Sequence, residues 1–399
     1  MAFSKARLER LSGYLKAQVE SGAVAGAVAL LDRKGETRVE IAGAADLETA
    51  APMQRDTVFR IASMTKTVTA VAALMLVEEA RIRLDDPVDP WLPELADRKV
   101  LKSWDGPADD TVPADRAITL RDLLTFRMGF GALMERPGRY PIQAAIQAAG
   151  LMPGPVAADL TPDLWMARLG ALPLLHQPGE RWMYHTGSDV LGVLIARLCG
   201  QPLDVVMRER IFEPLGMADT GFHAAGTALD RLATAYIRDP ANPGALKVYD
   251  KARGGSFSSP PSFPAGGGGL VSTADDFLTF ARMLMTMGKA GRTRLLARPT
   301  VELMTTDQLT PEQKARSAFF PGFWDYNGWG LGVSVTTARN GIALNPGSFG
   351  WDGGFGTSWR SDPREDMTVI LLIQRMMGGA ADAQISRDVL TLAYQAIDD

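Results

Sequence analysis

An α/β fold is predicted, with an antiparallel sheet built from both chain ends, flanked by helices, and a mainly helical region inserted between the two ends. Three observations predict it. Strand-like segments cluster near the start of the 399-residue chain and return near its end. The stretch between them carries helical periodicity instead. Residues 369–373 form an unbroken apolar run, as expected of a strand covered on both faces.

Taken in order, residues 1–22 read as a helix, with Leu8, Leu11, Leu15 and Val19 on one stripe. Lys and Arg are scattered through it, and no apolar core leads to a small-residue cleavage site, so it does not read as a secretory signal. The apolar stretch 23–31 is well short of the ~18 residues a membrane span requires. A cytoplasmic protein without membrane or nucleic-acid partners is the expectation. Residues 25–31 and 37–42 read as a hairpin around the turn 32–36. A long helix opens at Ser63 and runs to 79, because Val68, Val71, Ala72, Met75 and Leu76 recur at helical spacing. Further helices are expected near 120–126, 162–169, 188–198, 202–211 and 274–287. Strands follow at 328–336, 354–361 and 367–374. A closing helix carries Ile385, Val389, Leu392, Ala393 and Ala396 on one face. The irregular stretches 105–115, 254–269 and 310–329 are long enough to be functional loops. A single catalytic unit over 8–395 is expected. Its sheet part would come from about 1–60 and 265–399, and its helical part from about 61–264.

Composition narrows the chemistry. Lys and Arg total 42 against 46 Asp and Glu, so there is no basic field for nucleic acid. A single cysteine, Cys199, excludes an intrachain disulfide and a Cys-rich zinc site. The three histidines, His176, His185 and His223, lack metal-ligand spacing. No metal and no cofactor is expected, and a nucleophile and base are sought outside Cys and His.

Ser63-Met64-Thr65-Lys66 offers such a pair. Positions i and i+3 share a helical face, so hydroxyl and amine can approach. A serine needs a base within hydrogen-bond reach, and a lysine serves only if its pKa is lowered. At a helix N-terminus the Ser63 N–H also lacks an intrahelical partner and can face developing negative charge. The motif alone is weak, and the alternative nucleophile elbow, Gly-x-Ser-x-Gly, is absent.

The longer segment Phe59-Arg60-Ile61-Ala62-Ser63-Met64-Thr65-Lys66-Thr67 resembles the active-serine segment of the serine β-lactamase and penicillin-binding-protein superfamily. It is most similar to the class C β-lactamase-related family VIII carboxylesterases. Leu84-Asp85-Asp86-Pro87-Val88, Pro178-Gly179-Glu180-Arg181-Trp182-Met183-Tyr184, Ile211-Phe212-Glu213-Pro214-Leu215-Gly216-Met217 and Gly267-Gly268-Gly269-Leu270 follow in family order, so the resemblance covers nearly the whole chain. It implies a β-lactamase-like fold and a catalytic set of Ser63, Lys66 and Tyr184. The family's Tyr-x-Asn reads Tyr184-His185-Thr186, so the Asn is lost. The family does not use His there and successive residues tend to point apart, so His185 is left out of the catalytic set. The third-motif slot reads Ser348-Phe349-Gly350 and lacks a cation, with Trp351-Asp352-Gly353 following. The resemblance implies an oxyanion hole from the Ser63 and Trp351 amides. It also implies a pocket involving Trp351, Asp352, Gly350, Gly353, Phe323 and Trp324, with part of the aromatic cluster in the core. Without the cation, a carboxylate-bearing β-lactam is less well served than an uncharged ester. The expected activity is a carboxylesterase that hydrolyses short-chain acyl esters through a Ser acyl-enzyme, with weak or no β-lactam turnover. The alternatives are an acyltransferase, an amidase or D-peptidase, a β-lactamase, or a penicillin-binding protein without turnover. The partner expected is a small-molecule ester, and the oligomeric state is left open.

Overall fold

The computed structural model describes residues 2–399 except Pro155, Ala157, Pro243 and Ala318, and except the side chains of Ala380 and Ala381. Five helices frame the site and its sheet: α1 (Lys5–Glu20), α2 (Thr65–Glu78), α3 (Thr186–Cys199), α4 (Ala274–Met285) and α5 (Gln384–Gln395). The main sheet has eight strands. The first three are β1 (Gly26–Arg33), β2 (Glu36–Asp46) and β3 (Ala51–Pro52). The other five are β4 (Asn327–Trp329), β5 (Ser334–Thr336), β6 (Phe349–Asp352), β7 (Ser358–Asp362) and β8 (Met367–Ile373). Their order across the sheet is β4-β5-β6-β7-β8-β1-β2-β3, with every neighbouring pair antiparallel.

The two chain ends meet where β8 pairs with β1, Ala27 opposite Ile373 and Leu31 opposite Val369. Both strands are buried along their length, which is why both read as apolar. Alternate side chains serve two cores. Val28, Leu30, Ile370 and Leu372 face the large core that contains α2 and α4. Ala27, Ala29, Leu31, Val369 and Leu371 face a smaller core beneath α1 and α5. Each fully buried Leu or Ile there contributes roughly 1.5–3 kcal/mol. The β1–β2 hairpin turns at Lys34 (φ 50°) and Gly35 (φ 80°), a positive-φ pair that matches the twist of the strands it joins.

The inserted middle is helical as expected, with Leu120–Leu124, Pro162–Ala171, α3 and Leu203–Met207 at the anticipated places. Four expectations are corrected. The long helix begins with a 3-10 turn, Ala62–Met64, and is α-helical only from Thr65. The strand expected over 328–336 is two, β4 and β5, because Gly330 N–H bonds to the Val333 carbonyl and Gly332 takes φ 77°. The strand expected over 354–361 begins only at Ser358, because a tight turn closes through Gly356 N–H to the Gly353 carbonyl. The stretch 105–115 contains a strand, Thr111–Pro113, paired with Lys99–Leu101. No single helix among the described residues is long and apolar enough to cross a membrane.

Candidate active site

Phe59–Arg60 pairs with Val271–Ser272 and delivers the chain into the Ala62–Met64 turn. Ala62 takes φ 43°, an unfavourable backbone state for a residue with a Cβ. Such strain costs about 1–3 kcal/mol and persists where the surroundings enforce it. Ser63 is 9% exposed and Lys66, one turn on, is fully buried. Lys66 Nζ lies 2.9 Å from Ser63 Oγ, so the spacing brings hydroxyl and amine within hydrogen-bond reach.

Two further groups meet the same amine. Lys66 Nζ lies 3.2 Å from His185 Nδ1, and it also donates to the Gly267 carbonyl. His185 Nε2 lies 3.2 Å from Asp189 Oδ2, and the Gly267 N–H donates to Asp189 Oδ1 at 2.7 Å. The glycine at 267 is required by this closeness: a Cβ there would lie 2.7 Å from Asp189 Oδ1. Burial pulls the Lys66 ammonium down to about 7, opposed by the charge of Asp189. Burial and then the charge of Lys66 also lower His185, so its imidazole is neutral. With Asp189 accepting from Nε2–H, Nδ1 is left as an acceptor facing Lys66.

His185 and Asp189 were not among the expected site residues. His185 reaches Lys66 because it takes φ 85° and ψ −69°, with the Thr186 N–H bonding back to the Tyr184 carbonyl at 3.3 Å. That three-residue turn is the rarer, strained kind and places adjacent side chains in one site. The i, i+4 spacing of His185 and Asp189 at a helix start was the available signal.

Tyr184 stands beside the pair, its ring centroid 4.7 Å from Lys66 Nζ. Burial pushes its hydroxyl well above the ordinary phenol range, opposed by hydrogen bonding with Ser63 and Trp351. The phenol is therefore protonated rather than a standing phenolate. Trp351 Nε1–H donates to Tyr184 Oη at 2.8 Å. Phe323 and Trp324 lie half-buried against the same cluster, which includes the buried Phe126, Trp182 and Trp329.

The expected roles of β6 change with the register. Trp351 lies opposite Trp359, and two residues on the Gly353 N–H bonds to the Thr357 carbonyl. Amides alternate along a strand, so the Trp351 N–H faces β7 and not the nucleophile. That of Asp352 faces the other way. Gly350 and Gly353 are needed for packing within the protein. A Cβ at 350 would lie 2.0 Å from the Trp359 carbonyl oxygen, and one at 353 would lie 2.4 Å from that of Ile61. Asp352 is engaged by Arg360 in a two-pronged pair at 2.9 and 2.8 Å and accepts from Ser358 at 2.6 Å. Its carboxylate is thus neutralised rather than offered to a substrate.

The Beta-lactamase family model matches residues 11–393. The chain belongs to the Beta-lactamase family. Among curated relatives, Protein Rv1367c of Mycobacterium tuberculosis is 41% identical over 91% of this chain and 89% of its own. Esterase EstB of Burkholderia gladioli is 31% identical over the same two shares. Among solved structures, EstCE1, described as a hydrolase with promiscuous acyltransferase activity, superposes with a TM-score of 0.80 at 26% identity, covering 98% of this chain and 99% of its own. The chain is a serine hydrolase-type enzyme of the β-lactamase fold, related to family VIII esterases and acyltransferases.

Proposed function

We propose that the chain moves an acyl group from an uncharged ester, through an acyl-enzyme on Ser63, to an alcohol or to water. Acyl transfer, one of the alternatives read from the sequence, is placed ahead of hydrolysis alone because the relatives include both kinds of enzyme. The observation that carries the reading is the buried Lys66 amine at 2.9 Å from the Ser63 hydroxyl. Ser63 Oγ attacks the ester carbonyl and its proton passes to Lys66. The oxyanion is held by the Ser63 amide and by the Asp352 amide on the free side of β6. When the C–O bond breaks, the leaving alcohol takes the Tyr184 proton, and the Lys66 ammonium replaces it. The acceptor then gives its proton up along the same path in reverse.

Two clefts support an apolar substrate. One is a narrow crevice walled by Leu151, Trp165 and Phe263, with His185 and Thr186 at its polar end. The other is wider and runs along Phe319, Phe320, Phe323 and Trp324. Arg360 is already paired with Asp352, so β7 offers no free guanidinium to a substrate carboxylate.

Turnover of p-nitrophenyl butyrate with increasing 1-butanol tests the reading. The expected products are butyl butyrate in rising proportion with unchanged p-nitrophenol release per acylation. Butyric acid alone at every butanol concentration would reduce the function to hydrolysis. Tyr184→Phe is expected to lower kcat by about 10²–10⁴, the usual contribution of a positioned proton donor. A rate near wild type in the same assay removes Tyr184 from the proton path.

A further inference from the structure

We propose that His185 and Asp189 are positioning residues that aim the Lys66 lone pair at the Ser63 hydroxyl, an assignment that rests on the reading of Ser63 and Lys66 given above. The hydrogen bonds behind the nucleophile close into a ring. Lys66 contacts His185 Nδ1, His185 Nε2 contacts Asp189, Asp189 accepts from the Gly267 N–H, and the Gly267 carbonyl accepts from Lys66.

Counting protons shows what the ring does. A neutral amine has two N–H donors and one lone pair. Its three polar neighbours are Ser63 Oγ, His185 Nδ1 and the Gly267 oxygen. A carbonyl oxygen can only accept, and a neutral imidazole that donates Nε2–H to Asp189 can only accept at Nδ1. Both N–H groups are therefore committed to the ring, and the lone pair is left for the Ser63 proton. Without the acceptor at position 185 the amine is free to turn an N–H toward Ser63, which disables it as a base.

Asp189 has two effects. It fixes the tautomer of His185, and its charge stabilises the Lys66 ammonium. The other groups around the amine do not substitute for it. Tyr184 is protonated, His185 is neutral, and Asp352 of β6 is tied to Arg360.

Three variants separate these roles. Asp189→Asn keeps shape but donates an N–H to His185, forcing the ring proton onto Nδ1, where it competes for the Lys66 lone pair. His185→Ala removes the acceptor. His185→Asn restores an acceptor oxygen near the place of Nδ1 on a residue that tolerates positive φ. Rates are taken per folded molecule, from the amplitude of the thermal unfolding transition, on p-nitrophenyl butyrate. For Asp189→Asn and His185→Ala, kcat is expected to fall about 10²-fold with KM little changed. The acid limb of kcat/KM should move down by about half a pH unit or more, because the ammonium loses a stabilising partner. His185→Asn is expected to recover most of kcat. The proposal is overturned if the first two variants keep kcat within about twofold with an unmoved acid limb, or if His185→Asn is no better than His185→Ala. Ser63→Ala and Lys66→Met run in parallel. Activity in either of them sinks the Ser63–Lys66 reading itself, whereas dead controls beside wild-type-like His185 and Asp189 variants sink only the positioning role.

Discussion

Ser63→Ala is expected to lower ester turnover by about 10⁴-fold or more, the usual scale for loss of a covalent nucleophile. The substitution removes one oxygen and leaves the backbone amide in place, so a weak residual rate from the oxyanion donors is all that remains. Substrate affinity should change little, since the aromatic clefts along Trp165 and Phe263 and along Phe323 and Trp324 are untouched. The expected pattern is a collapse of kcat with KM within a few-fold. Retention of more than about a tenth of the wild-type kcat means that the acyl group is carried elsewhere.

The second large effect is at Lys66. Lys66→Met keeps the reach and the apolar stem but removes the amine, so Ser63 loses its base. A fall in kcat of about 10³–10⁵ is expected. The intact enzyme should show the same group in its pH profile. Burial brings the Lys66 ammonium to about 7. A base acts only when deprotonated, so kcat/KM should rise with pH up to about 7 and level off above it. Tyr184, whose hydroxyl is pushed above its ordinary range, should not impose an alkaline fall below pH ~10. A profile flat between pH 5 and 9 contradicts Lys66 as the base.

The sheet was legible because β8 and β1, where the two chain ends meet, are buried on both faces, as the apolar run 369–373 shows. The splits at Gly330–Gly332 and Gly353–Gly356 were not, since they depend on backbone dihedrals that hydrophobic pattern does not record. The Ser63–Lys66 pair was legible because one helical turn fixes its geometry. His185 was hidden by its strained turn, which overrides the rule that neighbouring side chains diverge. The oxyanion role expected of the Trp351 amide does not fit the strand register. That amide is consumed by the ladder with β7, and the Trp351 indole N–H reaches Tyr184 instead. Strand register decides which amides are free, and a single motif does not reveal register.

The most direct test is to quench the enzyme in acid during turnover of a slowly deacylated p-nitrophenyl ester and map the peptides by mass spectrometry. The expected result is one acyl group per chain, on the peptide that contains Ser63 and absent from Ser63→Ala. Acylation of a different residue, or full turnover with no covalent acyl-enzyme at any quench time, would contradict Ser63 as the nucleophile.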